Sequence, residues 1–312
     1  MKTVYVATMM VVAVLMLLIP LTAAAPGEAP VTPAVGEDIT EEPQQVRVKM
    51  QATGDVETYS LEDYLFGVVA AEMPALYEEE ALKAQTVAAY TYYIRKKNSE
   101  GDYDITDDYR VDQAFITPAA AKEKWGDGAE KYSSRILSAV KGVMGKKITY
   151  DGQPISAVYH AVSGGRTERA KDIWGGDYPY LVAVDSSWDK QAPNYISTAT
   201  FTAAELKLAL ESLVGITDLE NNCFGEPSRT ESGSIKSISV AEATLTGQQI
   251  RSALSLKSAD FDVTFADGVY TFTVRGYGHG IGMSQYGANC LAKEGKTYIE
   301  ILTHYYPGCK VE

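Results

Sequence analysis

The chain has 312 residues, 46% of them hydrophobic, and a formal net charge of −13 at neutral pH. That is enough apolar material to build one or two packed domains, which excludes a wholly disordered polymer. The acidic balance lacks the basic footprint that nucleic acids or anionic lipids require, so no nucleic-acid partner is expected.

Met1-Lys2-Thr3 precedes a nearly uninterrupted apolar run from Val4 to Ala25, the pattern of an export signal. Ala23-Ala24-Ala25 has the small residues of a cleavage site, but Pro26 directly after it is a poor context for a signal peptidase. The run also reaches the ~20 residues a spanning helix needs. Residues 1–25 are therefore expected to be a single-pass anchor in the cell membrane, with the rest of the chain outside the cytoplasm; cleavage and secretion are the alternative. Residues 26–45 carry five acids, four prolines and no base, and read as an extended, disordered linker. The folded domain is expected over residues 46–312.

Val46 to Met50 alternates as a strand does, and Gly54-Asp55 marks a turn. Ser60 is placed to cap a helix with Asp63 in the capping-box position, and Pro74 biases Met73 out of the α region, so the helix should end near Glu72. Leu65, Val68, Val69 and Glu72 recur at helical spacing, which puts a carboxylate on an apolar stripe. Apolar neighbours and the negative end of the helix dipole both disfavour the anion. The pKa of Glu72 should be raised, as a general acid requires near neutral pH.

A second helix is signalled by Glu78-Glu79-Glu80 at its start and Arg95-Lys96-Lys97 at its end, charges that suit the macrodipole. Its small residues Ala81, Ala84, Ala88 and Ala89 permit close packing against the first helix. Lys83, Gln85 and Tyr90 on this element are candidates to reach towards Glu72. Six acids between Glu100 and Asp112 suggest a calcium loop at first sight, but the glycine and the terminal glutamate of that motif are missing, so a solvated loop is predicted. Helical patterns follow at Ala129 to Val140 and at Ala203 to Val214, the latter with Thr202 and Glu205 as a capping box. Strands are predicted at Ile155–His160, Ser234–Val240, Phe261–Phe265 and Val269–Val274. No regular βαβ beat appears. The expected fold class is α+β, with mixed helices and antiparallel-rich sheets forming a substrate groove.

Two glycine-rich constellations stand out. The first runs Tyr159-His160-Ala161-Val162-Ser163-Gly164-Gly165-Arg166-Thr167, followed by Trp174 and Tyr180. Paired glycines leaving a strand let backbone approach a ligand, and hydroxyls beside aromatic faces are what sugar rings bind. Tyr159, His160, Ser163, Gly164, Thr167, Trp174 and Tyr180 are accordingly candidates for substrate binding, with tight-turn and core roles as the alternatives. Ser163 and His160 lie three apart with no Gly-x-Ser-x-Gly elbow, which argues against a serine hydrolase. The second constellation, Arg275 to Ala288, places glycines at 276, 278, 280 and 282 around His279. It has neither dinucleotide nor Walker spacing. Turn chemistry alone does not call for four alternating glycines, and a groove role for His279 competes with that of a core histidine.

Cys223, Cys290 and Cys309 leave at least one thiol unpaired; Cys290 and Cys309 could bridge or remain a reduced buried pair. With only His160, His279 and His304, and no paired ligand spacing, no metal or cofactor is expected, although Cys290, His304 and Cys309 form a conceivable zinc set.

Several of these stretches together resemble the sporulation stage II protein D family, which includes cell-wall proteins of the amidase-enhancer type. They are Val68 to Pro74, Glu80 to Gln85, Ser163-Gly164-Gly165 with Thr167, Tyr180-Leu181, Gly247 to Arg251 with Leu254 and Ser258, and Gly278 to Ala288. The resemblance implies a lytic transglycosylase acting on peptidoglycan strands stripped of stem peptides, in the engulfment step of spore formation. Glu72 matches the family's catalytic acid/base; the nucleophile would be the substrate's own C6 hydroxyl, so one carboxylate suffices where ordinary glycosidases need two. The last stretch adds Gly278, Gly280, Ser284, Gln285 and Tyr286 to the substrate-binding candidates, and Asp172 could help orient substrate. The implied partners are peptidoglycan glycan strands and other sporulation wall hydrolases at the membrane. One departure matters: where the family usually carries arginine, this chain has Tyr90, which supplies a hydroxyl but no fixed charge. Either substrate recognition is altered, Arg95 compensates, or activity is reduced, and a non-catalytic, glycan-binding enhancer or scaffold of a wall amidase is the alternative function.

Overall fold

The computed structural model describes residues 45–214 and 222–312. The expected anchor lies outside the described residues, as does the linker except for its last residue, Gln45, which already opens a strand. Among the described residues no helix is long and apolar enough to cross a membrane.

β1 (Gln45–Lys49) and β2 (Val56–Ser60) form an antiparallel hairpin whose alternation buries Val46 and Val48. The chain then enters α1 (Leu61–Glu72), with Ser60 accepting from Asp63 N as its cap, and α2 (Glu79–Lys96). β3 (Ile105–Thr106) adds to β1 in parallel. The acidic loop is tied down by its own carboxylates: Asp104 pairs with Arg47 at 2.7 Å, Asp108 with Arg110 at 2.8 Å, and Asp112 accepts from Thr106 N at 3.0 Å. α3 (Pro118–Trp125) and α4 (Ala129–Gly142) follow. These helices bury Leu65, Val68, Val69, Leu82, Val87, Ile136 and Val140 in the larger of two apolar cores.

β4 (Ile148–Tyr150) and β5 (Gln153–Pro154) are a short hairpin, and β6 (Tyr159–His160) comes after a break. The strand expected over Ile155–His160 is thus interrupted. Residues 155–158 leave the ladder, Val158 N turning back to Ser156 O, so that the Val158 carbonyl accepts from Met283 N and from the Tyr306 hydroxyl. α5 (Ala170–Ile173) is a single turn. β7 (Ile196–Thr202), not foreseen, leads into α6 (Ala203–Val214), where Thr202 and Glu205 make the expected reciprocal cap.

β8 (Ser228–Arg229), β9 (Ile235–Val240), β10 (Ala243–Leu245), α7 (Gly247–Ala253), β11 (Phe261–Ala266) and β12 (Val269–Arg275) complete a smaller lobe. Its sheets run β10-β9-β8 and β11-β12-β7. Phe261, Tyr270 and Phe272, each fully buried, centre the second core; burying side chains of this size contributes roughly 2–3 kcal/mol apiece. β13 (Met283–Ser284) pairs with β6 in parallel, and α8 (Gln285–Lys293), α9 (Tyr298–Tyr305) and β14 (Lys310–Val311) return the chain to the larger core. Antiparallel pairing dominates, parallel register occurring at β1–β3 and β6–β13. The fold is α+β, as expected.

Candidate active site

α1 stops where Pro74 requires. Met73 is extended (φ −122°, ψ 145°), its N–H closing the last turn on Val69 O, so Glu72 is the final helical residue. Its side chain is half-buried. One carboxylate oxygen accepts from Ala114 N at 3.1 Å and the other from Gln285 Nε2 at 3.2 Å. Burial raises the pKa of Glu72 above the usual carboxylate range; the two hydrogen bonds favour the anion and oppose the shift without cancelling it. No Lys, Arg or His makes an ion pair with it among the described residues. The result is a carboxyl inclined to hold its proton, with both oxygens aimed by neutral donors.

Each donor is itself anchored. Gln285, the first residue of α8, also donates to Gln85 Oε1 at 3.4 Å, and Gln85 is fully buried on α2. Ala114 sits on a strap whose neighbour Gln113 donates to the Tyr64 hydroxyl at 2.6 Å and to Ala89 O at 3.3 Å, while accepting from the Tyr159 hydroxyl at 2.8 Å. Gly67 lets this strap close on α1: a Cβ there would lie 2.4 Å from both Ile116 O and the Phe115 ring. Tyr159 also adjoins Glu72, whose charge helps push the phenol's pKa up after burial itself.

The two glycine constellations form one interface. Gly276, Gly278, Gly280 and Gly282 all have positive φ, and a Cβ at each would strike, in turn, Val162 O at 2.7 Å, His160 Cβ at 2.7 Å, Glu168 Cγ at 2.9 Å and Val158 O at 2.1 Å. The close approach that demands glycine is thus backbone against the neighbouring constellation. Asp189 fixes the pair. Fully buried, it accepts from Ser163 N at 2.7 Å, Ser186 Oγ at 3.0 Å and Ser284 Oγ at 2.9 Å. Ser284 in turn caps α8 and so places Gln285.

The His279 and His160 rings lie 5.7 Å apart, tilted by 59°, and the exposed Trp174 lies 5.1 Å from His279. His160 Nδ1 donates to Ile281 O, and His279 Nδ1 accepts from Ile281 N. Burial lowers the pKa of His160 to about 4 and of His279 to about 3, so both are neutral under ordinary conditions. The other candidates divide by place. Lys83 is held by Glu80 at 2.8 Å and Glu79 at 3.0 Å, outside ion-pair distance of Glu72. Tyr90 and Tyr180 are packed in the larger core, the Tyr180 hydroxyl accepting from Ser156 N. Thr167 is buried and bridges Val182 O and Val184 N. Gly164 lies against Asp260, where a Cβ would meet its carboxylate at 2.7 Å. The Tyr286 hydroxyl donates to Gln191 O. Arg95 donates to Pro154 O at 2.9 Å and so is engaged away from Tyr90, and Asp172 pairs with Lys236 at 3.3 Å.

All three cysteines are free thiols. Among the described residues no set of three His, Cys, Asp or Glu side chains is placed to hold a metal. His304 Nε2 bonds to Asp185 O and its ring packs on Trp188.

Residue-type reasoning singled out Glu72 but not its setting. Gln113 and Ala114 follow the acidic loop with no residue-type signal of their own, and Asp189 carries none beyond an isolated acid next to Trp188.

Residues 49–150 match the family described as Stage II sporulation protein. Stage II sporulation protein D of Bacillus subtilis is 39% identical over 280 residues, covering 88% of this chain and 81% of the relative. The protein of the same name from Bacillus amyloliquefaciens is 36% identical, covering 88% and 80%. The amidase enhancer of Bacillus subtilis is 30% identical over 78% of this chain, a match that takes in 39% of that longer protein.

Proposed function

Because this chain belongs to the stage II sporulation protein D family, we propose that it works on the cell wall during sporulation, as a lytic transglycosylase that cleaves peptidoglycan strands stripped of their stem peptides. The observation that carries this reading is Glu72: a half-buried carboxyl whose pKa burial raises and whose two oxygens are each fixed by one neutral donor. Glu72 protonates the glycosidic oxygen at N-acetylmuramic acid as the bond breaks. The resulting carboxylate, stabilised by Ala114 N–H and Gln285 Nε2, then takes the proton from that sugar's C6 hydroxyl as it closes the 1,6-anhydro ring. The nucleophile belongs to the substrate, so neither a second carboxylate nor a cofactor is required. His279 and the exposed Trp174, with the buried His160 ring behind His279, make a neutral, partly aromatic surface suited to a sugar ring. The single-pass anchor would hold the domain outside the cytoplasm, beside the wall and its other hydrolases.

A second reading is favoured by the likeness to an amidase enhancer and by a buried Tyr90 where arginine is usual: a glycan-binding scaffold that stimulates a separate amidase. One experiment separates the two. Stripped glycan strands are incubated with the protein and with Glu72→Gln, and products are read by mass. Anhydro ends from the parent and none from the variant support the enzyme. Strand binding without anhydro ends, with faster cleavage by an added amidase, supports the scaffold.

A further inference from the structure

Arg251 lies on α7 in the smaller lobe, in a stretch that figures in the family resemblance but has no part in the chemistry proposed for Glu72. It is half-buried, donates to Gln248 Oε1 at 3.2 Å, and makes no ion pair among the described residues. A desolvated guanidinium without a carboxylate is unusual in any protein and more so in one with 41 acids against 28 bases. Beside it, Gln248 Nε2 is a buried donor with no partner. Arg251 sits near enough to His160 and His279 for its charge to help keep both imidazoles neutral, and near enough to interact with the Tyr277 phenol.

The chain beyond α7 carries a second cation to the same place. Lys257 O accepts from Gly278 N at 2.9 Å, docking this segment on the His279 loop, and Lys257 Nζ stands 5.8 Å from the centre of the Tyr277 ring. Lys257 likewise makes no ion pair among the described residues. Tyr277, two residues before His279, is 55% exposed, and Trp174, whose ring lies 5.1 Å from that of His279, is 48% exposed. Two cations without acids, one unsatisfied amide donor and two exposed aromatic faces are the parts of a site for a sugar that bears a carboxylate.

We infer that Arg251 and Lys257, with Tyr277 and Trp174, form an anionic-sugar subsite that takes the free lactyl carboxylate of a muramic acid residue along the strand. The inference rests on the glycan-substrate reading above and gives a physical reason for preferring stripped strands. In a strand that keeps its stem peptides this carboxyl is an amide and offers Arg251 no charge.

The test is equilibrium binding by the full chain carrying Glu72→Gln, with three probes: stripped strands, the same strands with carboxyls converted to methyl esters, and peptide-bearing strands. Adding Arg251→Ala and Lys257→Ala should weaken binding of the free-carboxyl strands about tenfold or more and flatten its salt dependence. Binding of the methyl esters should be weak before the substitutions and unchanged after them. Equal loss on free and esterified strands, or no loss on either, overturns the inference. A loss confined to peptide-bearing strands places the carboxylate in the stem peptide and overturns the lactyl assignment. Should the Arg251→Ala chain not fold, Lys257→Ala alone and the effect of esterification on the otherwise unaltered chain decide the matter. Strand binding without anhydro products from the native chain would sink only the transglycosylase reading; no binding of any strand would sink the glycan reading and this subsite together.

Discussion

Asp189→Ala is the perturbation that tests whether the two glycine constellations are held as one. The carboxylate accepts from Ser163 N, Ser186 Oγ and Ser284 Oγ, and it is fully buried. Ser186 keeps the Tyr305 hydroxyl as a partner, 2.8 Å away, and Ser284 keeps its cap on Gly287 N. Ser163 N–H is left with no acceptor. An orphaned buried donor costs about 1–3 kcal/mol, and losing two charge-assisted bonds adds to it, against relief from desolvating the charge; about 3 kcal/mol is the expected net loss. At roughly 2–4 °C per kcal/mol for a domain of this size, Tm should fall by about 6–12 °C. Burial holds the Asp189 pKa above its ordinary 3.8. A raised carboxyl pKa means the folded state binds the proton more tightly, so the contribution of Asp189 is greatest on the acid side. It declines as pH rises from the ordinary value through the raised one. Urea denaturation of parent and variant across that range should show the gap between them narrowing towards higher pH. A loss below about 1 kcal/mol, or a gap independent of pH, would refute the claim that this carboxylate is the tie.

Gln285→Leu removes a donor that favours the Glu72 anion, so the pKa of Glu72 should rise further. Since the acid must be protonated, activity falls as pH passes its pKa, and the alkaline limb of the rate profile should move to higher pH; an unmoved limb would detach Gln285 from the acid. Gly282→Ala sets a Cβ 2.1 Å from Val158 O at φ +71°, and should cost more than about 2 kcal/mol in urea denaturation. Trp174→Ala should change stability by less than about 0.5 kcal/mol, because the ring is exposed, yet weaken strand binding measured by co-sedimentation. Gly67→Ala should reduce activity as well as stability, because it displaces the strap that presents Ala114 N–H to Glu72; full activity in a folded variant would show that this donor is dispensable.

What could be read from the sequence was what near neighbours decide. Ser60 with Asp63, Thr202 with Glu205, and Pro74 set helix ends through contacts within a few residues, and the Glu72 stripe follows from helical spacing alone. The break between β5 and β6 could not be read, because Ile155 to His160 is a good strand by composition. It leaves the ladder only because Met283 and Tyr306 claim the Val158 carbonyl. Gln113 reaches Tyr64 and Asp189 reaches Ser284 across 49 and 95 residues, and no local pattern encodes such meetings.

The glycines show how a correct signal can have a different cause. Turn chemistry alone did not account for four alternating glycines, and what accounts for them is the close approach of the chain's own residues 158–168. That changes how the site is understood. Glu72 is the last residue of its helix, while its two donors come from segments 42 and 213 residues away. The position of Gln285 depends on Ser284, hence on Asp189, and the position of Ala114 depends on Gln113 and its two tyrosines. A single carboxyl can act as acid and then as base only if its donors hold still while its charge changes. The buried polar residues around Asp189 and Gln113 are therefore as much a part of the proposed chemistry as the groups that would touch the sugar.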